Sequence, residues 1–258
     1  MKAKVIEHND KNATVRFETK SAAAMNALRS AITQEVPVLA IHTVEFRKQT
    51  SALYDEVLAH RLGLVPLTTD YGSYEYENLA DEAARSARSM AKLYTTASGP
   101  GIVHADALTS KDPSIKPAYP TMPLVTLTEG QEVEFEATAI MGKGRQHAKW
   151  QPGIAAYQEV ADVKVKNTKP EKSVRDQLPK EILNGTEIDP KRITTPQLID
   201  AIDGVDENTI MVERKDDAFD FTAESFGMIT PAQMILQGFV ELERMLDTFK
   251  KNVEETLS

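Results

Sequence analysis

Five histidines, at positions 8, 42, 60, 104 and 147, are the first candidates for acid–base or metal chemistry. No two stand four apart, the spacing that sets two imidazoles on one helix face over a metal, and no carboxylates cluster with them. Each reads as a surface or capping histidine, and His60 suits a helix C-terminus. The chain has no cysteine. That excludes disulfides, thiolate zinc sites, cysteine-held iron–sulfur clusters and a thiolate nucleophile. GKGR at 142–145 is not a phosphate loop, which needs G-x-x-x-x-G-K-S/T, or G-x-G-x-x-G opening a helix. Gly99–Pro100–Gly101 is a turn and not a nucleophile elbow, because no serine stands between its glycines. No D-x-D-x-D run offers a magnesium site. One constellation remains, GKGRQHAKWQPG at 142–153, with Lys143, Arg145, His147, Lys149 and the single tryptophan, Trp150. It reads either as a solvated basic hairpin with an anchoring tryptophan, or as a contact surface for an acidic partner or a phosphate backbone.

The elements that must position these residues come from the hydrophobic pattern. Alternation predicts strands at 2–7 and 13–19 around a turn at 8–12, a first hairpin. A helix follows from the Ser21 cap to about Glu35, with Met25, Leu28 and Ile32 on one face. A strand over 38–47 leads to a helix from about Ser51 to Leu62, acidic early, with His60 and Arg61 late and Gly63 behind. A short helix is expected within 73–92, and strands at LYTTAS, GIVHADAL, PLVTL and EVEFEATAI between 93 and 141. Another strand covers 158–166; then 168–208 reads as a small, weakly cored module with helices near 173–183 and 195–203. A second hairpin is expected from 209–214 and 217–224.

The last element carries a capping box, Thr230 with Gln233, and proline at its first helical position. It runs to about residue 256, roughly 39 Å at 1.5 Å per residue. Ile235, Phe239, Leu242, Leu246, Phe249 and Val253 recur at 4-3-4-3-4, a heptad seam, and Leu236, Val240 and Met245 add a second flank. The seam fits an intramolecular core or a helix–helix interface with another chain, and periodicity alone does not separate them.

With 258 residues, 41% hydrophobic and 27% charged, the chain has apolar material for a sizeable core. A net charge of −9 argues against a free-standing nucleic-acid binder, which draws affinity from a basic surplus. No apolar run approaches a membrane span, and the polar start is unlike a signal peptide, so a soluble, cytoplasmic protein is expected.

Four stretches resemble a known family: MNALRSAITQEVPVLAIHTVEF, SALYDEVLAHRLGLVPL, the run from TASGPGIVHADAL through KDPSIKPAYPTMPLV to GKGRQHAKWQPG, and FDFTAESFGMITPAQMILQGFVELERML. Their order and content are similar to the archaeal RNA polymerase D subunit, related to bacterial alpha and to the third-largest eukaryotic subunit. The resemblance implies an α+β fold with a discontinuous dimerisation domain (1–45, 158–167 and 209–258), an inserted mainly-β domain (46–157) and a reduced ferredoxin-like third module (168–208). It implies a chain with no active site of its own, part of a nucleotidyltransferase complex, that pairs with a small L subunit and carries the large catalytic subunits.

The implied dimer interface is Met25, Leu28, Ile32, Ile235, Phe239, Leu242, Leu246, Phe249 and Val253. The implied large-subunit contacts are Asn26, Arg29, Glu56, His60, Arg61, His147, Lys149 and Trp150. Many relatives hold an iron–sulfur cluster on cysteines in the third module, and some a metal in the loop equivalent to 71–92; without cysteine, no cofactor or zinc is expected here. Rival readings are a homodimeric binding module using the same seam and an enzyme with a phosphate-binding basic turn.

Overall fold

The computed structural model describes residues 2–77, 86 and 88–257. The architecture is mixed α+β, built on antiparallel sheets. Strands β1 (Lys2–His8) and β2 (Asn12–Glu18) form the expected hairpin. Its turn is held by Asn9, whose Oδ1 accepts from the backbone N–H groups of Lys11 (2.9 Å) and Asn12 (2.8 Å). Then come α1 (Ala22–Gln34), β3 (Pro37–Gln49), α2 (Asp55–Gly63), β4 (Met90–Ser98), β5 (Gly101–His104), β6 (Thr109–Ser110), β7 (Pro123–Leu127) and β8 (Glu132–Lys143). The rest is β9 (Gly153–Val165), α3 (Lys172–Arg175), β10 (Leu183–Asn184), β11 (Glu187–Ile188), α4 (Pro196–Ile202), β12 (Ile210–Ser225) and α5 (Pro231–Leu257). Two four-stranded sheets run β1-β2-β12-β9 and β3-β8-β4-β6, with two-stranded ribbons β5-β7 and β10-β11.

Compactness divides the chain into two units, each discontinuous: Met1–Lys4, Arg16–Ala22 and Tyr157–Asp220 in one, Val5–Val15, Ala23–Ala156 and Phe221–Ser258 in the other. This grouping places 23–156 with the C-terminal helix, unlike the boundaries expected from sequence.

In the larger unit, β3 pairs with β8 from Pro37↔Lys143 to Gln49↔Val133. Ile41 faces Ala139 and Thr43 faces Thr138, which leaves His42 as the extra residue of a bulge. Leu39, Ile41, Leu93, Val133, Phe135 and Ala137 pack with Leu58 and Leu62 of α2 in one core. Helix α1 buries Met25, Leu28, Ala31 and Ile32. Helix α5 starts at the predicted capping box: Thr230 Oγ1 accepts from Gln233 N (3.2 Å), and Gln233 Oε1 accepts from Thr230 N (2.9 Å). Gly238 lets α5 lie against α1, since a Cβ there would come within 2.5 Å of Ile32 Cγ1 and 3.1 Å of Leu28 Cδ1.

The smaller unit holds its own apolar cluster of Leu178, Ile182, Ile188, Ile202 and Ile210, lined by Val163, Val165 and Val174. The module over 168–208 therefore has a defined core around the β10–β11 ribbon.

Three expectations change, and a fourth falls largely outside the described residues. The second hairpin is one continuous 16-residue strand, β12. Lys215, read as a turn residue, continues the strand and pairs with Asp162 (2.8 Å), and beyond it the Asp217 carbonyl accepts from Thr19 N (2.8 Å). The segment lacks Gly, Pro or Asn, so nothing in it demands a turn. The helix expected at 173–183 is a single turn, α3, because Pro179 cannot continue it. Helix α2 starts at Asp55 and not Ser51: Ser51 N donates to Gln49 Oε1 (2.7 Å) and Leu53 N to Ser51 Oγ (3.3 Å), a local turn that competes with helix. Of the helix expected in 73–92, residues 78–85 and 87 lie outside those described, and its final part is already β4.

Candidate functional site

Helix α5 changes character along its length. Pro231, Met234, Ile235, Gly238 and Glu241 are buried, whereas every residue from Glu243 to Leu257 is exposed and Leu242 is half-buried. The predicted seam is therefore split. Ile235 belongs to the chain's own core; Phe239 is at the margin; Leu246 (67% exposed), Phe249 (68%) and Val253 face solvent, as do Leu236, Val240 and Met245 of the second flank. Met25, Leu28 and Ile32, expected beside the seam at a partner interface, are fully buried by this chain. The physical reason is that the first turns of α5 lie on that face of α1 through Gly238 and already cover it. The stretch from Leu242 to Leu257 extends about 24 Å at 1.5 Å per residue with an uncovered apolar stripe.

An ionic cluster roots this stretch. Lys143 Nζ donates to Glu241 Oε2 (2.8 Å) and to Glu35 Oε2 (3.4 Å), and all three side chains are 7–8% exposed. Arg145 also pairs with Glu35, and Arg244 stands 3.6 Å from Glu241. The Lys143 ammonium lies 4.8 Å from the Tyr76 ring centre. Tyr71 donates to the Pro37 carbonyl (2.8 Å), and burial, then the charge of Glu241, push its phenol well above the usual range. A cleft of about 460 Å³ beside the cluster is lined by Arg145, Arg244, Met245, Phe249 and Asn252. The GKGR stretch is thus consumed by packing and offers no phosphate cradle: Lys143 is engaged by two carboxylates, and a Cβ on Gly142 would fall 2.3 Å from Trp150 Cδ2.

A second surface surrounds α2. The turn after β8 is a 3-10 segment, Ala148–Trp150, capped by His147, whose Nδ1 accepts from Lys149 N (3.0 Å). Trp150, expected among the large-subunit contacts, is buried and donates from Nε1 to the Ile140 carbonyl (3.1 Å), which anchors the turn. It presents Lys149, whose Nζ lies 4.4 Å from the Trp150 ring centre, donates to the Ile41 carbonyl (2.9 Å) and stands 3.1 Å from His42 Nδ1. His42, His60, His147 and Lys149 line one pocket with Ile41, Ala59, Gly63 and Leu64. Sequence reasoning missed His42, because its aim depends on a bulge that leaves no mark in the strand pattern.

Arg61 donates to the Pro123 carbonyl (2.8 Å) and lines a different cleft, with Leu53 and Val125. Glu56 is exposed on α2 but does not line the histidine pocket. Asn26 and Arg29 are elsewhere, bonded to each other on α1 (3.0 Å). Among the described residues no three His, Cys, Asp or Glu side chains converge on a metal position, and no helix is long and apolar enough to cross a membrane.

Residues 41–156 match the RNA polymerase Rpb3/RpoA insert domain. The chain is 41% identical over 157 residues to DNA-directed RNA polymerase subunit Rpo3 of Pyrococcus horikoshii, an alignment spanning 61% of this chain and 59% of the relative. The Pyrococcus furiosus relative is covered over 54% of its length, so the chain spans little more than half of these relatives. The Rpo3 subunits of Methanosarcina acetivorans and Methanosarcina mazei align more completely, at 34% and 36% identity, over 92% of this chain and of each relative. With a third of its residues shared across nearly the full length of these two, the chain belongs to the Rpo3 family of DNA-directed RNA polymerase subunits.

Proposed function

We propose that this chain is a non-catalytic assembly subunit of DNA-directed RNA polymerase, which pairs with a smaller subunit of the L type and offers the pair as a platform for the large catalytic subunits. The supporting observation is the far half of α5, whose Met245, Leu246, Phe249 and Val253 are left exposed by the described residues. Each such side chain contributes about 1.5–3 kcal/mol when buried, enough together to drive stable pairing. In this reading the partner-binding part comprises 1–45, 158–167 and 209–258, the inserted part 46–157, and 168–208 is an accessory module that binds no cluster. The interface of nine residues narrows to Phe239, Leu242, Leu246, Phe249 and Val253, while Met25, Leu28, Ile32 and Ile235 support it from beneath.

Co-expression with the small subunit and native mass measurement tests the reading. A 1:1 complex is expected, lost on combining Leu246→Asp with Phe249→Asp, with the chain's own melting temperature unchanged because both positions are exposed. A stable homodimer that ignores the small subunit would favour the self-associating alternative.

A further inference from the structure

An asparagine followed by glycine has a side-chain amide open to attack by the next backbone nitrogen, because glycine puts no Cβ beside the approach. The chain holds one such pair, Asn184–Gly185. It stands at the tip of the β10–β11 ribbon. Asn184 pairs there with Glu187 and Leu183 with Ile188, so Gly185 and Thr186 make a two-residue hairpin turn. Gly185 has φ +67°, with open space where a Cβ would stand. Both members of the pair are exposed. Among the described residues neither the Asn184 side-chain amide nor the Gly185 N–H has a hydrogen-bond partner. Other asparagines are held. Asn9 Oδ1 accepts from Lys11 N and Asn12 N, Asn26 Oδ1 from Arg29, and Asn167 Oδ1 from Lys169 N.

We propose that Asn184 is a self-modification site, at which the side-chain amide becomes a carboxylate, and that this conversion loosens the β10–β11 ribbon. The Gly185 nitrogen attacks Asn184 Cγ, and the new N–Cγ bond closes a cyclic imide. The Cγ–Nδ2 bond breaks, and Nδ2 leaves as ammonia with the proton that Gly185 gives up. Water then opens either carbonyl of the ring. One product is aspartate on the original backbone. The other is isoaspartate, in which the main chain runs through the side chain and gains a methylene. Nothing is oxidised or reduced: an amide and water give a carboxylate and ammonium. A carboxylate at 184 faces Glu187 directly, and like charges so placed destabilise a strand pair. Lys169, 2.9 Å from Glu187, is then divided between two acids. The added methylene also breaks the register of a ribbon only two pairs long. The effect reaches the core of the module, because the buried Ile182 and Ile188 flank the turn. Every residue involved belongs to the smaller unit, and none to the assembly surfaces proposed above.

Ageing the purified full chain in warm buffer, followed by peptide mass spectrometry, reads the conversion. The peptide holding residue 184 should gain the mass of an amide-to-acid change roughly tenfold faster than peptides holding the other asparagines. The gain should be faster in mildly alkaline than in mildly acidic buffer, because the attacking nitrogen must shed its proton. Part of the product should accept methyl groups from an isoaspartate-specific methyltransferase. Asn184→Gln should stay unmodified, since glutamine would have to close a larger ring. An Asn184 peptide that keeps its mass, or changes no faster than those of Asn9 and Asn167, overturns the site. Amide hydrogen exchange over residues 182–189 reads the loosening. It should be several-fold faster in the aged chain and in Asn184→Asp than in Asn184→Gln. Equal exchange in all three overturns the loosening even where the mass has changed.

Discussion

Lys143 is the residue whose role differs most from its appearance in sequence. GKGR reads as a solvated basic turn, yet the lysine is 108 and 98 residues distant along the chain from the two carboxylates that hold it, Glu35 and Glu241. No local pattern carries that information. Removing one member of a buried ion group leaves the others charged and desolvated, which costs about 3–5 kcal/mol. Lys143→Met should therefore lower the urea midpoint by that equivalent. Tyr74 gives a pH signature. Burial first, then its hydrogen bond to Asp112 (2.9 Å), push its phenol up to about 12. The unfolded chain releases this proton near 10. Between those values deprotonation favours unfolding, so the contribution is whole below about pH 10 and is lost as pH rises toward 12. Tyr74→Phe should remove part of the alkaline destabilisation, about 1 kcal/mol, seen by comparing urea unfolding at pH 9 and 11.

Among the elements, those with strong local signals were legible. The capping box of α5, the alternation in β4 and β8 and the Asn9 turn all formed where expected, because each is decided within a few residues. The long strand β12 was not, since charged residues at 213–217 mimic a turn by composition while their partners lie in β2 and β9. The half-and-half burial of α5 was likewise hidden: its heptad continues unbroken through Val253, and only the position of α1 decides where coverage stops. Gly238 sets that contact. Gly238→Val would drive a branched side chain into Ile32 and Leu28 and should destabilise by about 1–3 kcal/mol, measured by thermal unfolding.

At the scale of the molecule, the uncovered stripe of α5 predicts the behaviour of the chain by itself. Contiguous apolar surface drives association, so sedimentation of the chain alone should show mass rising with concentration, suppressed when the small subunit is added. The family was legible because its stretches are long and ordered along the chain; the division into compact units was not, because it depends on which distant segments meet. That division has an optical consequence. The single indole, Trp150, belongs to the larger unit, and the smaller has Tyr157 as its one ring phenol. Emission above 320 nm or so therefore reports on the larger unit only, while backbone dichroism averages both. Superimposable denaturation curves from the two signals would mean that the units melt as one cooperative block, and an offset between them would give the separate stability of the smaller.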